Sequence, residues 1–395
     1  MTAPKGGGIV PLGGFYFLYF GALGIILPFF PAYLKSLALS ASQVGVLLAL
    51  PPLFSLLAPP LWSLLADRSG RADVVLSVLS FGACACFSLL LAAQRFSWLL
   101  LVLAAYAAFN SSITPLVDSL TLERLSSSRG SYARVRLFGS IGFVLSSTIF
   151  GMAISKIDRA TVIVALCLMA GYFAWSLAIR TASADVHVGR LLGGFRQLAD
   201  RDLAVFLTGT CLHWIACAPF HGTFSIHLQA LGLRPRVVGL ASGLGVLAET
   251  AFMYSYPRFS NRISAKHLLF VAFVASSLRW IGMAAVDRPA FIILLSLLHA
   301  FTFGAFYIAS VAYVASRTPP QLRASGQGLF VSITFGVGGL IGYLISGVGY
   351  DALGGHRLFA VAALVELAAA WLVLRIKADT GLHAPRSVAA SGVPG

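Results

Sequence analysis

The groups in this sequence that could do chemistry are ionisable side chains set inside long apolar runs. Asp118 lies in one such run, and Arg134 and Arg136 open the next. Glu249, Arg279 and His299 occupy three later runs, and Glu366 sits in the middle of the last, AVAALVELAAAW. At a bilayer centre each such charge costs roughly 2.5–3.5 kcal/mol on insertion scales, so it must face a cavity and find a partner. The chemistry open to these groups is proton exchange. Desolvation favours the neutral acid, and a nearby arginine favours the carboxylate. A carboxylate and an arginine on separate helices therefore make a switch: when substrate or helix movement parts them, the acid takes up a proton. Glu249 with Arg279 and His299 has those parts, and a buried structural ion pair between Glu249 and Arg279 is the plainer alternative. Thr302 shares a helix face with His299 at i, i+3 and can donate a hydrogen bond to substrate, though it carries no charge.

Arg134 and Arg136 are two residues apart, about 200° of helix rotation, so only one can line a cavity. Asp118 with Arg136 reads as a substrate or gating contact, and a helix-end pair of Asp118 with Arg124 or Arg134 is the alternative. Glu366 has no evident partner in sequence. It is either an alternative proton site or a group that snorkels or is bridged by a neighbouring helix. His213, His221 and His227 are spaced by eight and six residues, which does not put zinc ligands on one helix face. His213 is the candidate of the three for a cavity wall.

These groups need helices that cross a membrane. The chain has 395 residues, 58% hydrophobic and 10% charged, where a soluble domain carries about 25% charged residues. It reads as an all-α membrane protein of twelve spans, near 11–34, 43–66, 74–94, 98–120, 136–155, 160–179, 203–231, 237–257, 267–286, 289–315, 325–349 and 358–374. The net charge of +15 is not a nucleic-acid footprint, because the basic residues punctuate the gaps between apolar runs. With the N-terminus inside, 17 Lys and Arg fall on inside segments and 8 on outside loops, which places both termini in the cytoplasm. The first run is too long for a cleavable signal peptide.

The longest polar gap divides the spans six and six. The expected organisation is an N-terminal six-helix half (1–180), a central cytoplasmic loop (181–201), a C-terminal six-helix half (202–377) and a disordered cytoplasmic tail (378–395). The halves echo one another, Asp67-Arg68 after span 2 answering to Asn261-Arg262 after span 8. Glycines of span 11, such as Gly336, Gly339, Gly342 and Gly347, suit close helix approach. The five cysteines lie in apolar runs at spacings that fit neither a disulfide framework nor a zinc site. Phe29, Phe30, Tyr106, Phe109, Trp214 and Phe306 could stack on an aromatic substrate or simply pack. GxxxxGK[ST] is absent, and no catalytic triad or metal-ligand set is visible. The sequence therefore implies no enzyme, no metal and no cofactor.

Asp67-Arg68-x-Gly70-Arg71, together with twelve spans and a central loop, resembles the signature of the major facilitator superfamily. The resemblance runs from about Pro11 to Lys377. It implies a rocker-switch carrier, with Asp67, Arg68, Gly70 and Arg71 in a cytoplasmic gate. YARVRLFGSIGF (Tyr132 to Phe143) resembles the helix 5 signature shared by lactose permease-like symporters and 3-phenylpropionate permeases. That resemblance implies substrate contacts at Asp118 and Arg136, and proton coupling at Glu249, Arg279 and His299. The lactose-type symporters also carry a glutamate three residues after the histidine, where this chain has Thr302. FHGTFSIHLQALGL (Phe220 to Leu233), with His213 upstream, and GLGVLAE (Gly243 to Glu249) look closer to the phenylpropionate permeases.

The expectation is a monomeric proton symporter of the bacterial inner membrane that takes up a small organic solute, foremost an aromatic monocarboxylate. Asp118, Arg136, His213 and Thr302 would bind substrate. The partners are that small molecule, protons and the lipid bilayer. Drug or metabolite efflux, a sugar or nucleoside substrate, and a non-transporting assembly role are the alternatives.

Overall fold

A computed structural model describes residues 10–126, 132–180, 200–319 and 322–377. The tail 378–395 and all of the central loop except 200–201 lie outside the described residues. Among those residues every regular element is helical. The long segments are α1 (Val10–Ser36), α2 (Ala41–Ser69), α3 (Ala72–Leu91), α4 (Phe96–Leu125), α5 (Arg134–Ala153), α6 (Ala160–Ser176), α7 (Arg201–Ala230), α8 (Pro235–Arg258), α9 (Ala265–Ala285) and α10 (Pro289–Arg317). The last run, Arg323–Leu374, has 52 residues. At 1.5 Å per residue it is about 78 Å long, more than twice a hydrocarbon core of about 30 Å. It bends at Gly354, whose φ of 74° and ψ of 172° are not helical, into α11 (323–353) and α12 (355–374). Among the described residues ten helices are long and apolar enough to cross a membrane. The shorter apolar α6 and the bend at Gly354 account for the two further spans read from the sequence.

Sequence chemistry explains the interruptions. Pro28 and Pro31 lie inside α1, and Pro51 follows the break at Ala49 in α2. Proline removes one intrahelical hydrogen bond and crowds the preceding turn. Among the described residues two π-helical turns occur, Ala300–Ala305 in α10 and Ser332–Val337 in α11. Such turns concentrate at functional sites because they leave carbonyls free to meet other groups. Large apolar side chains such as Leu61, Leu101, Met152, Leu177 and Leu364 are exposed, as a lipid-facing belt requires.

Glycines bring α2 close to α11 and α5 close to α8 at one end of the bundle. A Cβ on Gly347 of α11 would lie 2.5 Å from the Ala41 carbonyl oxygen of α2, and one on Gly239 of α8 would lie 2.3 Å from that of Ser147 in α5. These contacts exist only because both positions lack a side chain. At the same end Ser40 and Gln43 form a capping box on α2. The Asp351 carboxylate accepts from the Ala41 and Ser42 amides (3.0 and 2.7 Å) and from the Ser42 hydroxyl (2.6 Å). It is thus a carboxylate at a helix N-terminus, supplied by a distant part of the chain, where the helix dipole favours negative charge. Gly347→Val should part α2 from α11, since overpacking a tight contact costs about 1–3 kcal/mol. Spin labels at the exposed Ser36 and Arg357 should then report a wider distance distribution. An unchanged distribution would show that this contact does not set the closure.

Candidate functional site

A cavity of about 270 Å³ lies between α1, α5, α7, α8, α9, α10 and α11. Its charged and titratable wall is Arg136, His221, Glu249, Arg279 and His299. Phe20, Phe143, Trp214, Phe220, Phe224, Phe303 and Tyr343 give the rest an aromatic character. A small opening with a few convergent polar groups on an apolar wall is the usual form of a small-molecule site.

Three helices supply a linear relay. Arg279 of α9 donates from Nη1 to His299 Nδ1 at 3.2 Å. Because Nδ1 accepts, the ring proton of a neutral His299 sits on Nε2, and Nε2 lies 3.3 Å from Glu249 Oε2. His299 thus stands between the arginine and the acid that the sequence suggested as direct partners. Arg279 is 1% exposed, and its guanidinium lies over Phe220 (4.1 Å) and Trp280 (4.8 Å). Its Nε and Nη2 have no hydrogen-bond partner among the described residues. A buried guanidinium with two unpartnered nitrogens has the hydrogen-bonding capacity to meet a planar anion.

Across the cavity the same logic recurs. Arg136 of α5 stacks on Phe20 at 3.8 Å and lies 5.9 Å over the Tyr16 ring, while the Tyr16 hydroxyl donates to Asp118. Tyr16 stands between acid and base as His299 does. Gly139, one turn after Arg136, makes room for this stack, since a Cβ there would lie 2.8 Å from Phe20 Cδ2 and 2.9 Å from Arg136 Nη1. Arg136 lines the cavity and Arg134 is exposed, as the 200° rotation requires.

Of the four residues expected to bind substrate, Arg136 lines the cavity, and Asp118, His213 and Thr302 do not. His213 is fully buried, with Nδ1 2.8 Å from Glu366 Oε2 and Nε2 3.0 Å from the Thr302 carbonyl oxygen. The Thr302 hydroxyl turns back to the Leu298 carbonyl at 3.1 Å. Both residues face the interior of the α7, α9, α10 and α12 packing, because the π turn rotates Thr302 away from the face that His299 presents. Glu366, unpartnered in sequence, accepts from Trp280 Nε1 at 3.1 Å as well. Ligand-type atoms of His213, Cys217 and Glu366 lie within 4.8 Å of one another, but both ring nitrogens and both carboxylate oxygens already face protein partners. Of the six aromatic residues singled out from sequence, only Trp214 lines the cavity. His221, Phe20, Phe220, Phe224 and Tyr343 were not singled out, and no local pattern distinguishes them from packing residues.

Asp67, Arg68 and Arg71 surround the end of α2, where Gly70 takes the left-handed φ of 62°. None of the ion pairs among the described residues involves them.

The model of the MFS_1 like family matches residues 9–361. The "Probable 3-phenylpropionic acid transporter" of Escherichia coli is 28% identical over 361 residues, covering 90% of this chain and 95% of that protein. The maltose permease of Geobacillus stearothermophilus is 28% identical over 346 residues, covering 84% and 85%. The crystal structure of the nucleoside transporter NupG superimposes with a TM-score of 0.84 at 18% identity, covering 93% of this chain and 98% of that one, a likeness of fold.

Proposed function

The chain belongs to the MFS_1 like family, a multi-pass membrane transporter family of the major facilitator superfamily, and from that membership we propose that it carries out proton-coupled uptake of an aromatic monocarboxylate such as 3-phenylpropionate. The observation that carries this reading is Arg279, a buried guanidinium with two unpartnered nitrogens beside an aromatic-walled cavity. The carboxylate takes Arg279 and the ring lies among Phe20, Trp214, Phe220 and Phe303. The E. coli relative, named for 3-phenylpropionic acid, points the same way.

Charge bookkeeping supplies the coupling. Arg136 and Arg279 balance Asp118 and Glu249 with His299 neutral, so the network carries no net charge. An incoming monocarboxylate leaves it at −1. At about 7 Å and an effective dielectric of about 20, each uncompensated charge pair costs roughly 2 kcal/mol. A proton on Glu249 restores neutrality, so anion and proton enter together, one for one. Without substrate Arg279 holds His299 at Nδ1 and His299 holds Glu249 at Nε2, and substrate that draws the guanidinium away loosens this chain.

In this reading the units 1–180 and 202–377 rock about the cavity in a bacterial inner membrane, with both termini cytoplasmic and the chain a monomer. The close contacts around Gly347 and Asp351 then lie on the outer side, and the cavity serves the cytoplasm. Asp67, Arg68, Gly70 and Arg71 act in the opposing gate. De-energised vesicles carrying the protein should show external alkalinisation when 3-phenylpropionate is added. Alkalinisation on a disaccharide or a nucleoside instead would overturn the substrate assignment. No change with any of them would overturn proton symport.

A further inference from the structure

Glu366 and His213 are each fully buried and lie outside the relay that the transport reading uses. Their hydrogen bonds fix their protons. The Thr302 carbonyl can only accept, so His213 Nε2 carries a hydrogen toward it. Nδ1 and Glu366 Oε2 are 2.8 Å apart, so a second proton lies between them, on one atom or the other. The pair as drawn therefore holds two protons and no net charge.

We infer that His213 and Glu366 form a proton-binding site separate from Glu249, whose occupancy decides whether α7 is tied to the π turn of α10. Loss of one proton to water in the cavity leaves a neutral histidine and a carboxylate, a net charge of −1. The remaining ring proton then has to choose. On Nδ1 it satisfies Glu366, and the Nε2 lone pair faces the Thr302 carbonyl, which breaks that bond. Cys217, with Sγ 3.6 Å from Nε2, can donate to the exposed lone pair. On Nε2 the proton leaves a lone pair against a carboxylate at 2.8 Å, the costlier arrangement in a dry interior. Deprotonation therefore releases Thr302.

What Thr302 belongs to gives this consequence. It lies in the π turn Ala300–Ala305, which begins directly after His299. One turn earlier on α7, Thr210 accepts from Thr334 at 2.8 Å, and Thr334 lies in the π turn Ser332–Val337. Both irregular turns are thus held to α7 by neighbouring side chains, and of the two bonds only that at His213 depends on a proton shared with an acid. The groups bonded to the pair are Cys217 on α7, Trp280 on α9 and the Thr302 carbonyl on α10, and Arg279, His221 and His299 are the other charged or titratable groups of this region. Two rings separate the pair from the cavity: Trp280 donates to Glu366 and packs 5.8 Å from Phe220, which lines the cavity.

The place of this site in transport rests on the proton-symport reading, but its test needs no substrate. Protein with ring-labelled histidine, in lipid nanodiscs, is titrated across roughly pH 5 to 9 by infrared difference spectroscopy. One imidazole transition should be present in the wild type and absent from both His213→Gln and Glu366→Gln. Amide exchange at 300–305, corrected for its intrinsic pH dependence, should quicken about tenfold across the same step, as expected for a lost hydrogen bond. This second readout uses the wild type alone and survives a failure of either variant to fold. A wild-type titration that superimposes on that of His213→Gln, or flat corrected exchange at 300–305, would overturn the inference and leave a fixed structural pair. A chain that moves no aromatic carboxylate can still pass this test, and one that does can still fail it.

Discussion

Arg279→Gln should reduce uptake of 3-phenylpropionate about a hundredfold, measured as initial rate at fixed surface expression. The substitution removes the cation that would meet the carboxylate, and losing one partner of a desolvated charge pair costs about 3 kcal/mol. Arg279→Lys should recover only part of this. The ammonium keeps the charge but lacks the planar fork that lets Nε and Nη2 meet two carboxylate oxygens, and it stacks less well on Phe220 and Trp280. Full activity in both variants would assign the anion to Arg136. Loss of folded protein in Arg279→Gln but not in Arg279→Lys would show that the buried cation is structural.

Glu249→Gln should abolish accumulation against a gradient while leaving counterflow exchange of 3-phenylpropionate near the wild-type rate. Glutamine has the shape and neutral charge of the protonated acid, so the loaded carrier forms and turns over. It cannot shed a proton, so the empty carrier no longer couples its return to the gradient. The expected split is a loss of at least about tenfold in accumulation ratio with exchange within about twofold, the signature of a group that acts only in the proton step. Equal loss of both activities with normal expression would make the Glu249–His299 contact a structural one. Glu249 and His299 are only 16% and 12% exposed, so they reach water through the cavity and through little else.

The fold was legible because it rests on a one-dimensional signal. Runs of about 20 apolar residues broken by basic loops need only local composition to be read, and their correspondence with α1 to α12 follows from the cost of unsatisfied backbone in lipid. Prolines and glycines were legible for the same reason, since their effects on helix ends and close approach are properties of single residues. Ionisable residues within spans were also legible as a class, because charge in hydrocarbon is rare enough to stand out.

The sequence by itself determined that this chain is a polytopic helical membrane protein of a transporter family, and which charged residues lie at membrane depth. Only the tertiary structure decided how those charges are paired. Glu366 meets His213 across 153 positions of sequence, His299 is interposed between Arg279 and Glu249, and Tyr16 is interposed between Arg136 and Asp118. The physical reason is rotational. A helix face is set by about 100° per residue, and a single π turn shifts every later side chain relative to its neighbours. The turn at Ala300–Ala305 is why His299 faces the cavity while Thr302, three residues on, faces the interior, a separation that regular helical spacing places on one face.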